Sequence, residues 1–102
     1  MRIITKKFIE QAKQKHPDAR AQLDHWHKIA KSAHWKNFAE TRLAFSHADQ
    51  VTVKSKRTVT IFNISNNDFR LITAIHYNKQ KVHVMRFLTH AEYDKNKWME
   101  AL

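Results

Sequence analysis

Phe69-Arg-Leu-Ile-Thr-Ala-Ile-His-Tyr77, Asn78-Lys-Gln80 and Lys81-Val-His-Val-Met-Arg-Phe-Leu88 decide the fold of this chain. The outer segments are dense in β-branched and aromatic residues, and the polar one between them is turn chemistry. They read as a β-hairpin. Thr58-Val-Thr-Ile-Phe-Asn-Ile64 has the same character, set off by a second polar stretch, Asn66-Asn67-Asp68. Consecutive strands with short links predict an antiparallel meander.

Upstream of Thr58 the apolar spacing becomes helical. Phe8, Ile9 and Ala12 form a stripe within Lys6 to Lys15, and His16-Pro17-Asp18 ends that helix and opens the next, with Pro17 suited to a first helical position. Leu23, Trp26, Ala30 and Ala33 then share one face. A third helix is predicted from about Asn37 to Phe45, with Asn37 as its cap, Glu40 three residues on, and Phe38, Leu43 and Phe45 available to pack. Arg2 to Thr5 is a short β-prone start. Thr89-His-Ala-Glu92 has capping-box spacing and predicts a short C-terminal helix. The fold class is therefore α+β, a single domain over residues 1–102 with N-terminal helices packed on one face of a small antiparallel sheet. With no Gly and one Pro, Asn is expected to carry the left-handed turn positions.

A chain of 102 residues with 42% hydrophobic content supports one modest core. The absence of Cys excludes disulfide scaffolds and thiol nucleophiles, and the absence of Gly excludes glycine-rich phosphate loops. No apolar run suits a membrane span or signal peptide, so a cytoplasmic protein is expected. Nineteen Lys and Arg against nine Asp and Glu, a net charge of +10, point to polyanionic partners and first to nucleic acid. Lys54, Lys56 and Arg57 form a local cluster suited to tracking a phosphate backbone. Trp35-Lys36 offers a stacking ring and a cation, although such a Trp also serves to close a core between helices. The simpler alternatives are a solvated surface or an acidic partner protein.

Arg70 and Arg86 are cations set inside apolar strands. If the three-residue loop Asn78 to Gln80 pairs Tyr77 with Lys81, Arg86 opposes Ile72 and Arg70 lies on the diagonal, at ~7–8 Å. Two guanidiniums so placed suit a bridging phosphate; the alternative is that each snorkels or pairs with an acid. On a helix following Thr89, His90, Tyr93 and Asp94 share a face, with Lys95 next in sequence, and His, Tyr and Lys can move protons near a phosphate or hold its charge. Equally, Tyr93 can be a core aromatic and His90 a capping-turn residue. A metal site finds little support: His25 and His27 point apart, and His76 and His83 can meet across the hairpin without an evident third ligand.

Phe62-Asn63-Ile64-x-x-Asn67-x-Phe69-Arg70-Leu71-Ile72, Ile75-x-Tyr77 and Val84-x-Arg86-Phe87-x-Thr89-His90-x-Glu92-Tyr93-Asp94-Lys95 together resemble the HigB-type toxins of bacterial type II toxin–antitoxin pairs, in the wider RelE-like family. His16-Pro17-Asp18-Ala19, Trp35-Lys36-Asn37-Phe38-Ala39 and Phe45-Ser46-x-Ala48-Asp49 extend the likeness over nearly the whole chain; Ser65-Asn66-Asn67 departs from it in a turn that often carries Gly. The resemblance implies a RelE-like toxin fold and a ribosome-dependent mRNA endoribonuclease that inhibits translation. The implied reaction needs no metal or cofactor: the ribose 2′-hydroxyl attacks the adjacent phosphate, leaving a cyclic phosphate and a 5′-hydroxyl. It also implies a HigA-type helix-turn-helix antitoxin, in a higher-order complex that binds operator DNA through the antitoxin. On that reading Arg70 and Arg86 hold the phosphate, His90 or Tyr93 acts as acid or base, and Lys95 and Lys36 add positive charge. The contrasting reading is a non-catalytic basic module that binds RNA or the ribosome.

Overall fold

The structure, a computed structural model, describes residues 1–4, 7–65 and 68–102. The expected helix start at Lys6, the end of the first strand at Thr5 and the turn residues Asn66 and Asn67 lie outside the described residues. The chain runs β1 (Arg2–Ile4), α1 (Lys7–Lys15), a 3₁₀ turn (Pro17–Ala19), α2 (Arg20–Ser32), α3 (Phe38–Ala44), β2 (Asp49–Thr52), β3 (Thr58–Ile64), β4 (Phe69–His76), a second 3₁₀ turn (Tyr77–Lys79), β5 (Lys81–Thr89), α4 (His90–Asp94) and α5 (Trp98–Ala101).

The sheet has the order β1-β5-β4-β3-β2. The meander β3-β4-β5 is antiparallel as expected, and β2 extends it as an antiparallel edge. β1 joins the other edge parallel to β5. The Met1 ammonium donates to the carbonyls of Lys31 and Ala33, at 3.0 and 2.5 Å, tying this edge to the end of α2.

Ile9, Ala12, Leu23, Trp26 and Ala30 pack against Phe62, Ile64, Phe69, Leu71, Val82 and Val84 to make the main core. Full burial of a Val, Leu, Ile or Phe side chain contributes about 1.5–3 kcal/mol. Trp35 is also there, 5% exposed, with its ring 6.0 Å from Phe45 and 6.5 Å from Phe62. The other sheet face is covered as well. Trp98 seals Val53, Val59, Ile61 and Ile72, so the short C-terminal helices cap the face that the N-terminal helices leave open.

Two expectations are corrected here. Leu43 does not pack: it is 87% exposed, because Thr41 faces inward and two residues turn a helix by about 200°. The left-handed positions among the described residues are Lys56, Ser65, Gln80 and Asn96, so Asn takes just one of them. Gln80 is held there by its own side chain, which donates to the carbonyls of Trp35 (2.7 Å) and Tyr77 (2.8 Å).

The hairpin register has a compensation built into it. His76, not Tyr77, pairs with Lys81, so the connection is one residue longer than the sequence suggested. Met85 then bulges out between the Thr73–Val84 and Ile72–Arg86 pairs, and the bulge restores the offset. Arg86 therefore does oppose Ile72, with Arg70 opposite Leu88 on the same face.

Candidate active site

The ends of β4 and β5 nearest the C-terminal helices bring most of the candidate residues together. Phe69 pairs with Thr89, and the His90 N–H donates to the Asp68 carbonyl at 2.9 Å, so α4 starts directly beside Arg70. Thr89 forms the predicted capping box. Its hydroxyl accepts from the Glu92 N–H (3.2 Å), and the Glu92 carboxylate accepts from the Thr89 N–H (3.0 Å). That N–H is the main reason the Glu92 carboxyl lies below its ordinary value.

With the helix start fixed, His90, Tyr93 and Asp94 share one side. Nδ1 of His90 lies 3.0 Å from a carboxylate oxygen of Asp94, which leaves Nε2 as the ring atom available to a substrate. Tyr93 receives the Arg70 guanidinium over its ring at 5.3 Å and stacks on Trp98 at 5.3 Å. Trp98 also donates its indole N–H to the Tyr93 carbonyl at 3.1 Å. Burial raises the Tyr93 phenol above its ordinary value, Asp49 and Asp94 push the same way, and Arg70 opposes them. At neutral pH this phenol is a proton donor. Lys95 follows at the helix end, exposed.

Arg86 takes a different direction. Its guanidinium lies 5.7 Å from the Phe8 ring centroid of α1, and Nη1 donates to the Met85 carbonyl at 2.6 Å. The backbone relation between the two arginines is the expected one, with the Arg70 guanidinium over the Tyr93 ring and the Arg86 guanidinium over the Phe8 ring. Lys36 and Trp35 belong to the opposite end of the hairpin, where the Trp35 carbonyl meets Gln80. A buried Trp35 offers no face to a base, so it is corrected from a stacking candidate to a core residue. Lys54 and Lys56 are exposed in the turn between β2 and β3, while Arg57 reaches from that turn to the Met85 sulfur at 3.9 Å.

Trp98, which orders Tyr93, is a site residue beyond the sequence candidates; the signal that marks it is the i, i+1, i+4 spacing of Trp98, Met99 and Leu102. Among the described residues no cluster of His, Cys, Asp and Glu suited to a metal ion forms. None of the helices is long and apolar enough to cross a membrane, again among the described residues.

Helices packed on a five-stranded mixed sheet make a layered α+β domain consistent with a small RelE-like protein. Residues 19–96 match the sequence model of the HigB toxins, described as the RelE-like toxic component of a toxin-antitoxin system. The chain belongs to the HigB toxin family, and membership implies an antitoxin partner. It is 26% identical over 94 residues to the mRNA interferase toxin HigB of Escherichia coli K12, covering 92% of this chain and 88% of that protein. With the mRNA interferase HigB of Escherichia coli O6:H1 it shares 28% over 95 residues, covering 93% and 90%. The mRNA interferase HigB of Shigella flexneri is 26% identical over 94 residues, covering 92% and 88%.

Proposed function

We propose that this chain is a toxin that cleaves mRNA endonucleolytically, with Arg70, His90 and Tyr93 as its acting groups. The observation that carries the assignment is the 3.0 Å pairing of His90 Nδ1 with Asp94, beside the Arg70–Tyr93 contact. Asp94 fixes the tautomer, so Nε2 of His90 takes the proton from the ribose 2′-hydroxyl. The freed oxygen attacks the adjacent phosphorus, and Arg70 offsets the charge that builds on the non-bridging oxygens. Tyr93 gives its proton to the departing 5′-oxygen. The P–O5′ bond breaks as the new P–O2′ bond forms, leaving a 2′,3′-cyclic phosphate and a 5′-hydroxyl. Exposed Lys95 adds positive charge. Arg86, turned to Phe8, serves the strand rather than the reacting phosphate.

So few groups suit a reaction whose in-line geometry is supplied from outside, which supports the ribosome as the second partner. The net charge of +10 and the exposed Lys36, Lys54 and Lys56 support contact with mRNA or ribosomal RNA. A HigA-type helix-turn-helix antitoxin completes the reading, with operator binding by the complex running through the antitoxin.

The test is to incubate the purified protein with a reporter mRNA in a bacterial extract, translating or blocked at initiation, and to characterise the product ends. Cyclic phosphates that appear under translation alone support the reading in full. Cleavage without translation removes the ribosome from it. Tight, salt-dependent RNA binding with no product replaces it with the binding module.

A further inference from the structure

A second cationic site lies on the same sheet face, toward the turn between β4 and β5. A groove of about 450 Å³ is lined by Arg57, His76, His83 and Arg86, with Phe8 and Met85 among its apolar walls, and none of its lining residues is acidic. The imidazoles of His76 and His83 meet edge to face with ring centroids 5.1 Å apart. Four of the surrounding elements add positive charge. β5 contributes Lys81 and Arg86, the turn between β2 and β3 contributes Arg57, and β1 places Arg2 in register with Lys81. α1 contributes Lys7, whose ammonium lies 5.6 Å from the Phe8 ring that Arg86 also approaches.

Cations gathered without a carboxylate repel one another, and an anion relieves that repulsion. The shape of the groove also suits a nucleotide. The volume exceeds what a lone phosphate fills, and Phe8 and Met85 present apolar surface that suits a ribose or base edge. The groove and the candidate active site share β5: from His83 to Thr89 is six residues, about 20 Å at about 3.3 Å each, a few nucleotides of extended strand.

We propose that this groove binds a backbone phosphodiester of single-stranded RNA, a few nucleotides from the cleaved bond, through Arg57, Arg86 and the imidazoles of His76 and His83. The proposal rests on the mRNA-cleaving reading for its ligand but not on any catalytic step. It makes RNA binding pH-dependent. Burial, then His76, Lys81 and Arg57, hold the His83 imidazole below its ordinary value in the free protein. Bound phosphate favours the charged form of His83, so affinity rises as pH falls through the histidine range.

The experiment measures binding of a 2′-O-methyl oligonucleotide, which lacks the attacking hydroxyl, by fluorescence anisotropy across pH. The histidine C2–H resonances are followed by NMR in parallel, with the same oligonucleotide and with inorganic phosphate. Wild type is expected to bind about tenfold more tightly at about pH 5.5 than at about pH 7.5, one linked proton being worth up to tenfold per pH unit. The double variant His76→Gln/His83→Gln is expected to lose that gain, and Arg57→Gln to lower the salt slope by about 0.7. Oligonucleotide should move the His76 and His83 resonances. Pair resonances that move with inorganic phosphate alone make this a free-anion site and overturn the RNA proposal, as does an unchanged pH dependence in a double variant that gives a folded spectrum. Because the probe is not cleaved, absence of nuclease activity defeats the function above without touching this result, and the reverse also holds.

Discussion

Asp94 holds Nδ1 of His90 at 3.0 Å, one helical turn apart on α4, and leaves Nε2 as the unengaged side of that pair. Asp94→Asn keeps the shape and removes the charge that fixes the tautomer. It should lower cleavage about 10²- to 10⁴-fold, with stability changed by no more than about 0.5 kcal/mol, as at other exposed sites. Single-turnover cleavage together with urea denaturation checks both halves.

Arg70 and Tyr93 are coupled through the guanidinium–ring contact. Arg70→Ala should cost about 10²- to 10³-fold in cleavage, the scale for losing one group that stabilises transition-state charge. It should also move the phenol of Tyr93 further upward, because Arg70 favours the phenolate. Phenolate absorbance against pH, wild type against variant, reports the direction directly.

The capping box sets both the start of α4 and the aim of His90. Thr89→Ala should cost about 1 kcal/mol of stability, as lost N-caps typically do. The Glu92 carboxyl lies below its ordinary value in the folded chain, so its contribution is complete above the unfolded value of 4.5 and fades as pH falls through the folded one. Stability measured from about pH 6 down to pH 3 should therefore decline, and less steeply in Glu92→Gln.

Trp98 is the centre of the second, smaller core. Trp98→Ala should destabilise the chain by about 3–5 kcal/mol, the usual cost of truncating a buried Trp. Leu43→Glu, a large change in hydrophobicity at an exposed position, should shift stability by no more than about 0.5 kcal/mol. Thermal melts of the two variants make the contrast.

Lys56 sits at φ 69°, in the left-handed region, on the turn between β2 and β3. Lys56→Gly removes the clash between Cβ and the backbone and should stabilise the fold by about 1 kcal/mol. Chemical denaturation at equal m-value is the check.

The strands of the meander were legible because their β-branched and aromatic residues sit between polar breaks, and the helices because Leu23, Trp26 and Ala30 keep a helical period. The facing of Arg86 and Ile72 was legible for a partly mistaken reason. Turn chemistry alone places the loop one residue short, and the bulge at Met85 compensates; without a Gly to mark it, a bulge leaves no local trace. β2 was missed because Asp49–Thr52 is short and carries a single apolar residue, Val51. In the candidate site, the grouping of His90, Tyr93 and Asp94 followed from helix spacing alone. The directions of the guanidiniums did not, since they depend on where Phe8 and Tyr93 arrive from distant parts of the chain.

The most direct test of the account is 5′-end mapping of a reporter mRNA in a translating extract, comparing wild type with His90→Ala and Arg70→Ala, each confirmed folded. The account predicts new 5′-hydroxyl ends with wild type and their loss in both variants. Ends that persist at wild-type frequency in the His90 and Arg70 variants would contradict it.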